Sequence, residues 1–137
     1  MQTFLPYPSF SKSAKVLDYH RLGKQRLEAK QIYLALTEPG YGWQNHPAVK
    51  MWRGYEAALA QYGKAICFEW HCQRGYKDSL LSWFEERATP VCIYPKWIYD
   101  PNFHLAHQSN LLRKDPAFYT PLFPGVPADL PYIWPVA

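Results

Sequence analysis

Thirteen prolines punctuate this chain of 137 residues, and their positions decide where long helices can form. Proline lacks an amide proton and its ring collides with the preceding turn, so it suits a first helical turn and is excluded from a helix interior. Pro6 and Pro8 keep Met1 to Phe10 out of helix. A first helix is expected to open at a Ser9/Ser11 cap and to run to about Thr37, with Gly23 kinking or splitting it. Glu38-Pro39-Gly40-Tyr41-Gly42 stops it in a turn. Asn45 or His46 can cap a second helix, with Pro47 in its first turn and its end near Cys72, before Arg74-Gly75. Ser79 to Arg87 reads as a short helix. Pro90, Pro95 and Pro101 make Thr89 to Phe103 irregular, with Trp97 and Tyr99 packing or lining a cleft. His104 to Lys114 reads as a third helix, stopped by Asp115-Pro116.

Phe118 to Ala137 carries Pro121, Pro124, Pro127, Pro131 and Pro135, with a Pro-Gly turn at Pro124. It has no helical period, yet Phe118, Tyr119, Phe123, Tyr132 and Trp134 make it too apolar for a solvated tail. It is expected to wrap over the helices as an extended strap. In the second helix, Ala48, Trp52, Tyr55, Leu59, Tyr62, Ile66 and Trp70 keep a 3.6-residue period, so one face is apolar throughout. The expected fold is all-α: three main helices, one short helix and the irregular C-terminal strap, forming a single domain over residues 1–137. Six Trp, eleven Tyr and seven Phe make aromatic packing the main source of burial and leave rings over for surface stacking.

Several classes are disfavoured. Cys67, Cys72 and Cys92 are odd in number and form no CxxC, which argues against a disulfide framework and for a reducing cytoplasm. Cys67, His71 and Cys72 fall short of a four-ligand zinc pattern, and buried reduced thiols are the simpler reading. The pair His104 and His107 is likewise read as hydrogen-bonded histidine. No metal or other cofactor is expected. No stretch approaches the roughly 18 apolar residues of a membrane span, and Met1 to Phe10 does not have the form of a signal peptide. The net charge of +4 favours an anionic partner.

The charge concentrates in Leu17 to Ile32. Four cations occupy the ten residues from Arg21 to Lys30, in a segment rich in strong helix formers. Leu22, Ala29, Ile32 and Leu36 recur at helical spacing and can face a core. Arg21, Lys24, Glu28 and Gln31 share another face, which holds cations around one carboxylate. Such a face can grip phosphates and place an acid beside them. It is equally the pattern of a solvated face with an i, i+4 pair between Lys24 and Glu28. Arg53 and Glu56 read as a surface pair. On the third helix His107, Asn110 and Lys114 share a face, with Arg113 beside them.

Longer motifs add a resemblance. Met1-Gln2-Thr3-Phe4-Leu5-Pro6, Arg21-Leu22-Gly23-Lys24-Gln25-Arg26-Leu27-Glu28-Ala29 and Gly42-Trp43-Gln44-Asn45-His46-Pro47-Ala48-Val49 resemble a bacterial family of pyrimidine dimer DNA glycosylases. So do Met51-Trp52-Arg53-Gly54-Tyr55-Glu56, His107-Gln108-Ser109-Asn110-Leu111-Leu112-Arg113-Lys114-Asp115-Pro116 and Leu122-Phe123-Pro124-Gly125-Val126-Pro127. That family is similar, more weakly, to phage endonuclease V, a small all-helical enzyme with a proline- and aromatic-rich C-terminal segment. The resemblance implies a monomer that acts on double-stranded DNA carrying damaged or modified pyrimidines, cyclobutane dimers foremost. It excises a base and, in the endonuclease V manner, nicks the abasic site through an N-terminal amine.

An α-amino group ordinarily titrates near 7.7–8.0, so part of such a population is neutral near pH 7 and can attack C1′. The endonuclease V amine is exposed by loss of the initiator Met. Gln2 is too bulky for that loss, so the implied nucleophile is the amine of Met1. Alignment on Tyr19 puts Arg21 where endonuclease V has its catalytic Glu, which leaves Glu28 and Asp18 as nearby acids, with Glu28 preferred. The implied catalytic group is therefore Met1, Glu28 and Arg21. The implied DNA contacts are His20, Lys24, Arg26, His107, Asn110, Arg113 and Lys114. A non-catalytic module that binds distorted or modified DNA is the alternative.

Overall fold

The computed structural model describes residues 1–136, and among them it contains helices and no strand. The expected all-α class holds. Helix boundaries differ from the expectation in four places.

The first helix breaks at Leu17-Asp18 rather than at Gly23. α1 spans Phe10–Val16, with the Ser9 side chain accepting from the Lys12 amide. Leu17 and Asp18 are extended, and α2 follows over Tyr19–Thr37. Asp18 causes the restart. Its carboxylate accepts from the Arg21 amide at 3.3 Å and so supplies the cap that a new helix needs. Gly23 stays helical and serves packing instead. A Cβ there would lie 2.9 Å from the ring of Trp70, so only glycine lets α2 approach that ring.

The second helix is two. α3 spans Pro47–Lys50 and is capped by His46, whose Nδ1 accepts the Ala48 amide at 3.0 Å. The chain then turns through Gly54 at φ 88° before α4 over Glu56–Phe68, which continues as a π-helical turn over Glu69–Gln73. The apolar period survives the break: Ala48, Trp52, Leu59, Tyr62, Ile66 and Trp70 are all buried. The expected Arg53–Glu56 pair does not form. Arg53 donates to the Gln44 carbonyl and Glu56 accepts the Gly54 amide, so both side chains stabilise the turn. α5, Leu81–Arg87, lies against α4 where a Cβ on Gly63 would come within 2.2 Å of Phe84.

The third helix, α6, starts a turn early. It spans Pro101–Lys114, because Asp100 caps it and Pro101 fits its first position. A short α7, Pro116–Tyr119, follows where only irregular chain was expected. Asp115 makes it possible by accepting the Phe118 amide at 3.2 Å. Beyond it the strap runs without regular structure to the last described residue. It is anchored by Phe123, which is buried and stacks on Tyr119 at 5.7 Å. The apolar core is continuous from Phe4 and Leu5 through α2, α4 and α6 to Phe123. Cys67 belongs to this core, and burial pushes its thiol well above the usual range. The buried-thiol reading fails for the other two cysteines: Cys72 is exposed and Cys92 half-buried. Among the described residues no helix is long and apolar enough to cross a membrane.

Candidate functional site

The N-terminal segment threads between α2, α4 and α6, and side chains from all three hold its backbone. Gln25 of α2 is the centre of this arrangement. Its Oε1 accepts the Phe4 amide at 3.1 Å, and its Nε2 donates to the Gln2 carbonyl at 2.9 Å. The Tyr62 hydroxyl, from α4, sits 2.6 Å from the same Oε1 and 2.9 Å from the Phe4 carbonyl. Burial, assisted by the charge of Glu28, pushes the Tyr62 hydroxyl well above its ordinary value, so it remains a neutral donor. One residue further, the Leu5 amide donates to Nδ1 of His107, and the Leu5 carbonyl lies 2.7 Å from Nδ1 of His104. An extended segment has backbone groups that no helix satisfies, and these side chains satisfy them.

The result is a cleft of about 510 Å³ with Met1 and Gln2 at one wall and α2 at the other. Arg21, Lys24, Gln25 and Glu28 line the α2 side, and His20 stands at its edge. Lys114 comes from the end of α6, and Tyr132 and Trp134 from the strap. Met1 and Glu28 therefore open onto one space. Glu28 is held from two sides: Gln25 Nε2 donates to it at 2.8 Å, and Lys24 Nζ lies 3.8 Å away. The Glu28 side chain is 13% exposed, whereas that of Lys24 is 74% exposed. The i, i+4 pair expected from the sequence is thus present, but it is long and leaves the ammonium free to solvent.

Arg21 is oriented rather than mobile. Asp18 Oδ1 takes its guanidinium at 3.1 Å and also accepts the Tyr119 hydroxyl, while the Asp18 amide donates back to that hydroxyl oxygen. Burial acts to raise the Asp18 carboxyl. The bonds from Tyr119 and Arg21, with the Arg21 charge, outweigh it and hold the carboxyl below its ordinary value. Asp18, the alternative acid, is 7% exposed and tied up in this cap, whereas Glu28 faces the cleft.

Four of the expected DNA contacts have other partners within the fold. Arg26 lies over the Trp70 ring, 4.6 Å from its centroid, and pairs with the buried carboxylate of Asp78. Arg113 donates to the Ala128 and Leu130 carbonyls at 3.0 and 2.7 Å, so it fastens the strap to α6. Asn110, 2% exposed, donates to the Ala106 carbonyl and accepts from Arg113. His107 is 1% exposed, and burial, with the charge of His104, lowers it to about 3. It stays neutral as the acceptor of the Leu5 amide. Asn110 and His107 are enclosed, whereas Arg113 is exposed and Arg26 half-buried, each already engaged by acceptors of the fold.

Sequence reasoning missed Gln2, Phe4, Gln25, Tyr132 and Trp134 as cleft residues. For Gln25 a signal existed. It falls at the second position of the series Leu22, Gln25, Ala29, Ile32, so an amide occupies a core register and must find buried partners. No local signal places the strap residues. Burial pushes the Tyr132 hydroxyl up, opposed by a bond with Gln2 and by the charges of Arg113 and Arg21. His46 was read only as a helix cap, which it is. Burial and the nearby amino terminus also lower its ring, while Glu28 opposes them.

A family model described as pyrimidine dimer DNA glycosylase matches residues 1–82, which include Met1, Arg21, Lys24, Gln25 and Glu28. No curated protein and no solved structure matches the chain.

Proposed function

The chain belongs to the pyrimidine dimer DNA glycosylase family, and on that premise we propose that the Met1–Glu28 cleft excises a damaged pyrimidine from duplex DNA and can then cut the abasic strand. The observation that carries this reading is that the amino terminus, a partly buried carboxylate and three cations border one cleft.

Arg21, Lys24 and Lys114 attract the phosphates that flank the lesion. A dimer weakens stacking and pairing, so its step is cheaper to open than a normal one, and this favours damaged sites. The neutral Met1 amine attacks C1′. The new N–C1′ bond forms as the glycosidic C1′–N bond breaks; the pyrimidine leaves C1′ with the bonding pair and a proton, and in a cyclobutane dimer stays tethered to its neighbour through the ring. Ring oxygen O4′ then leaves C1′ and is protonated, which gives an iminium between the chain and the opened sugar. Loss of a proton from C2′ ejects the 3′ phosphate by β-elimination, and water later frees the amine.

Glu28 sits where positive charge builds on the sugar. Its carboxylate stabilises that charge and carries protons between the amine, O4′ and C2′. The bond from Gln25 fixes its direction, and Gln25 also fixes Gln2 and Phe4, so the acid and the amine share one positioning residue. Arg21, braced by Asp18, is held ready for a phosphate at the scissile side.

Borohydride reduction during reaction with a dimer-containing duplex tests the scheme. A covalent adduct mapped to the Met1 nitrogen by mass spectrometry is expected. Glycosidic cleavage with no adduct would leave a glycosylase that uses water and would remove the amine from the mechanism. Absence of glycosidic cleavage, read as free base set loose once the cyclobutane ring is photoreversed, would overturn the whole reading.

A further inference from the structure

Trp43 is the only residue other than glycine with a positive φ among the described residues, at 71°. For a bulky L-residue that conformation is strained, and strain of this kind persists only where the surroundings impose it. Here they do. The Trp43 carbonyl accepts the His46 amide at 2.9 Å, Gln44 donates to the Glu38 carbonyl, and Arg53 donates to the Gln44 carbonyl. The loop is thus braced from both sides, yet the indole it presents is 64% exposed and fills no part of the core.

The exposed ring is continuous with the cleft. Trp43 meets His46 edge-on at 6.0 Å, and His46 meets Trp134 edge-on at 6.0 Å. Trp134 lies 5.5 Å from Tyr132 at an angle of 30°, and both line the cleft. The His46 ring cannot swing away, because its Nδ1 is engaged by the Ala48 amide. The fold therefore spends a strained backbone to hold an indole outward, at the end of an aromatic wall that begins beside Met1. Such a ring offers a flat apolar face to any nucleobase, irrespective of sequence.

We propose that Trp43, with Trp134 behind it, is a stacking platform for a nucleobase displaced from the duplex next to the Met1–Glu28 cleft. This rests on the glycosylase reading and deepens it. The cations of the cleft hold the backbone, and the platform lowers the cost of keeping one base out of the stack. It therefore acts on damaged duplex, where a base is readily displaced, and not on intact duplex.

The test compares wild-type, Trp43→Gly and Trp43→Phe proteins on dimer-containing and undamaged duplexes of the same sequence, with melting temperature measured alongside. Trp43→Gly is expected to lose about 5- to 150-fold in affinity for the dimer duplex, the range that stacking of one base spans. Its affinity for undamaged duplex stays unchanged. Its melting temperature holds or rises, because glycine adopts the left-handed conformation freely. Trp43→Phe keeps a ring and retains most of the preference. Trp43→Gly protein that prefers the dimer as wild type does, or that loses both duplexes equally, overturns the platform. Wild-type protein that neither binds nor cuts the dimer duplex overturns the glycosylase reading, and the platform with it.

Discussion

α2 carries its cations on two sides, and the two sides do opposite things. On one, Lys24 is 74% exposed beside Glu28, and Arg21 is braced by Asp18 at the mouth of the cleft. On the other, Arg26 is 16% exposed, stacked on Trp70 and paired with Asp78, whose side chain is 1% exposed. The same division recurs at the end of α6, where Lys114 lines the cleft and its neighbour Arg113 fastens the strap. A cationic residue in a sequence reports a charge; whether that charge is available to a partner depends on which acids and carbonyls the fold brings to it. Arg113 spreads its planar fork over two backbone carbonyls and Arg26 gives one nitrogen to Asp78, while the ammoniums of Lys24 and Lys114 stay in water.

Four substitutions or conditions sharpen or break this contrast. The largest effect is expected at the acid of the open side. Glu28→Gln keeps the shape and the contact with Gln25 but removes the charge, so single-turnover glycosidic cleavage of a dimer duplex should slow by about 10²- to 10⁴-fold. The melting temperature should change little. A rate near wild type would remove Glu28 from the chemistry.

On the closed side the effect moves from activity to stability. Arg26→Ala leaves Asp78 buried without its partner and should cost about 2–4 kcal/mol in denaturant unfolding. Asp78 also accepts the Leu80 and Leu81 amides that start α5, so the loss should loosen that helix first. The salt dependence of DNA binding by the folded protein should stay as in wild type. A reduced salt slope would show that Arg26 reaches phosphate after all.

The pH dependence of stability reports on the buried anchors of the N-terminal segment. His107 is lowered from 6.5 to about 3 in the folded state. Below about pH 6.5 the unfolded chain takes up a proton there that the folded chain refuses, so stability falls as pH drops from that point toward 3. Asp18, also held below its ordinary 3.8, adds to the loss below that value. Melting temperatures from pH 7 to 4 should fall in wild type. They should fall less in His107→Asn, which removes the titrating ring. An identical profile would mean that another group controls this limb.

The smallest effect belongs to Lys24→Ala. Stability should stay within about 0.5 kcal/mol, as expected for an exposed surface position. The slope of log affinity against log salt should become shallower by about 1, the signature of one lost phosphate contact. No change in slope would place Lys24 outside the interface.

The helical periods, the prolines and the terminal aromatics were enough to give an all-α fold with a strap, because each is a local constraint on backbone conformation. The same local rules misplaced the break in the first helix. Gly23 is the weaker helix former, but Asp18 has a hydroxyl from Tyr119, 101 residues away, that helps fix it as a cap. Part of the cleft was legible too. Arg21, Lys24 and Glu28 share a face by spacing alone, and the resemblance of the motifs joined Met1 to them. His107, Asn110 and Arg113 had the right chemistry for DNA and were assigned to it. Their partners, Leu5, Ala106, Ala128 and Leu130, are backbone groups, which composition does not reveal.

By itself the sequence determined the all-α class, the apolar faces of the main helices, and where a basic face with one acid lies, since these follow from neighbours within one or two turns. Only the tertiary structure decided which of those charges remain free and which groups stand beside the amino terminus. That choice depends on packing α2, α4, α6 and the strap around an extended strand of backbone, whose unpaired amides and carbonyls must find partners far away in the chain.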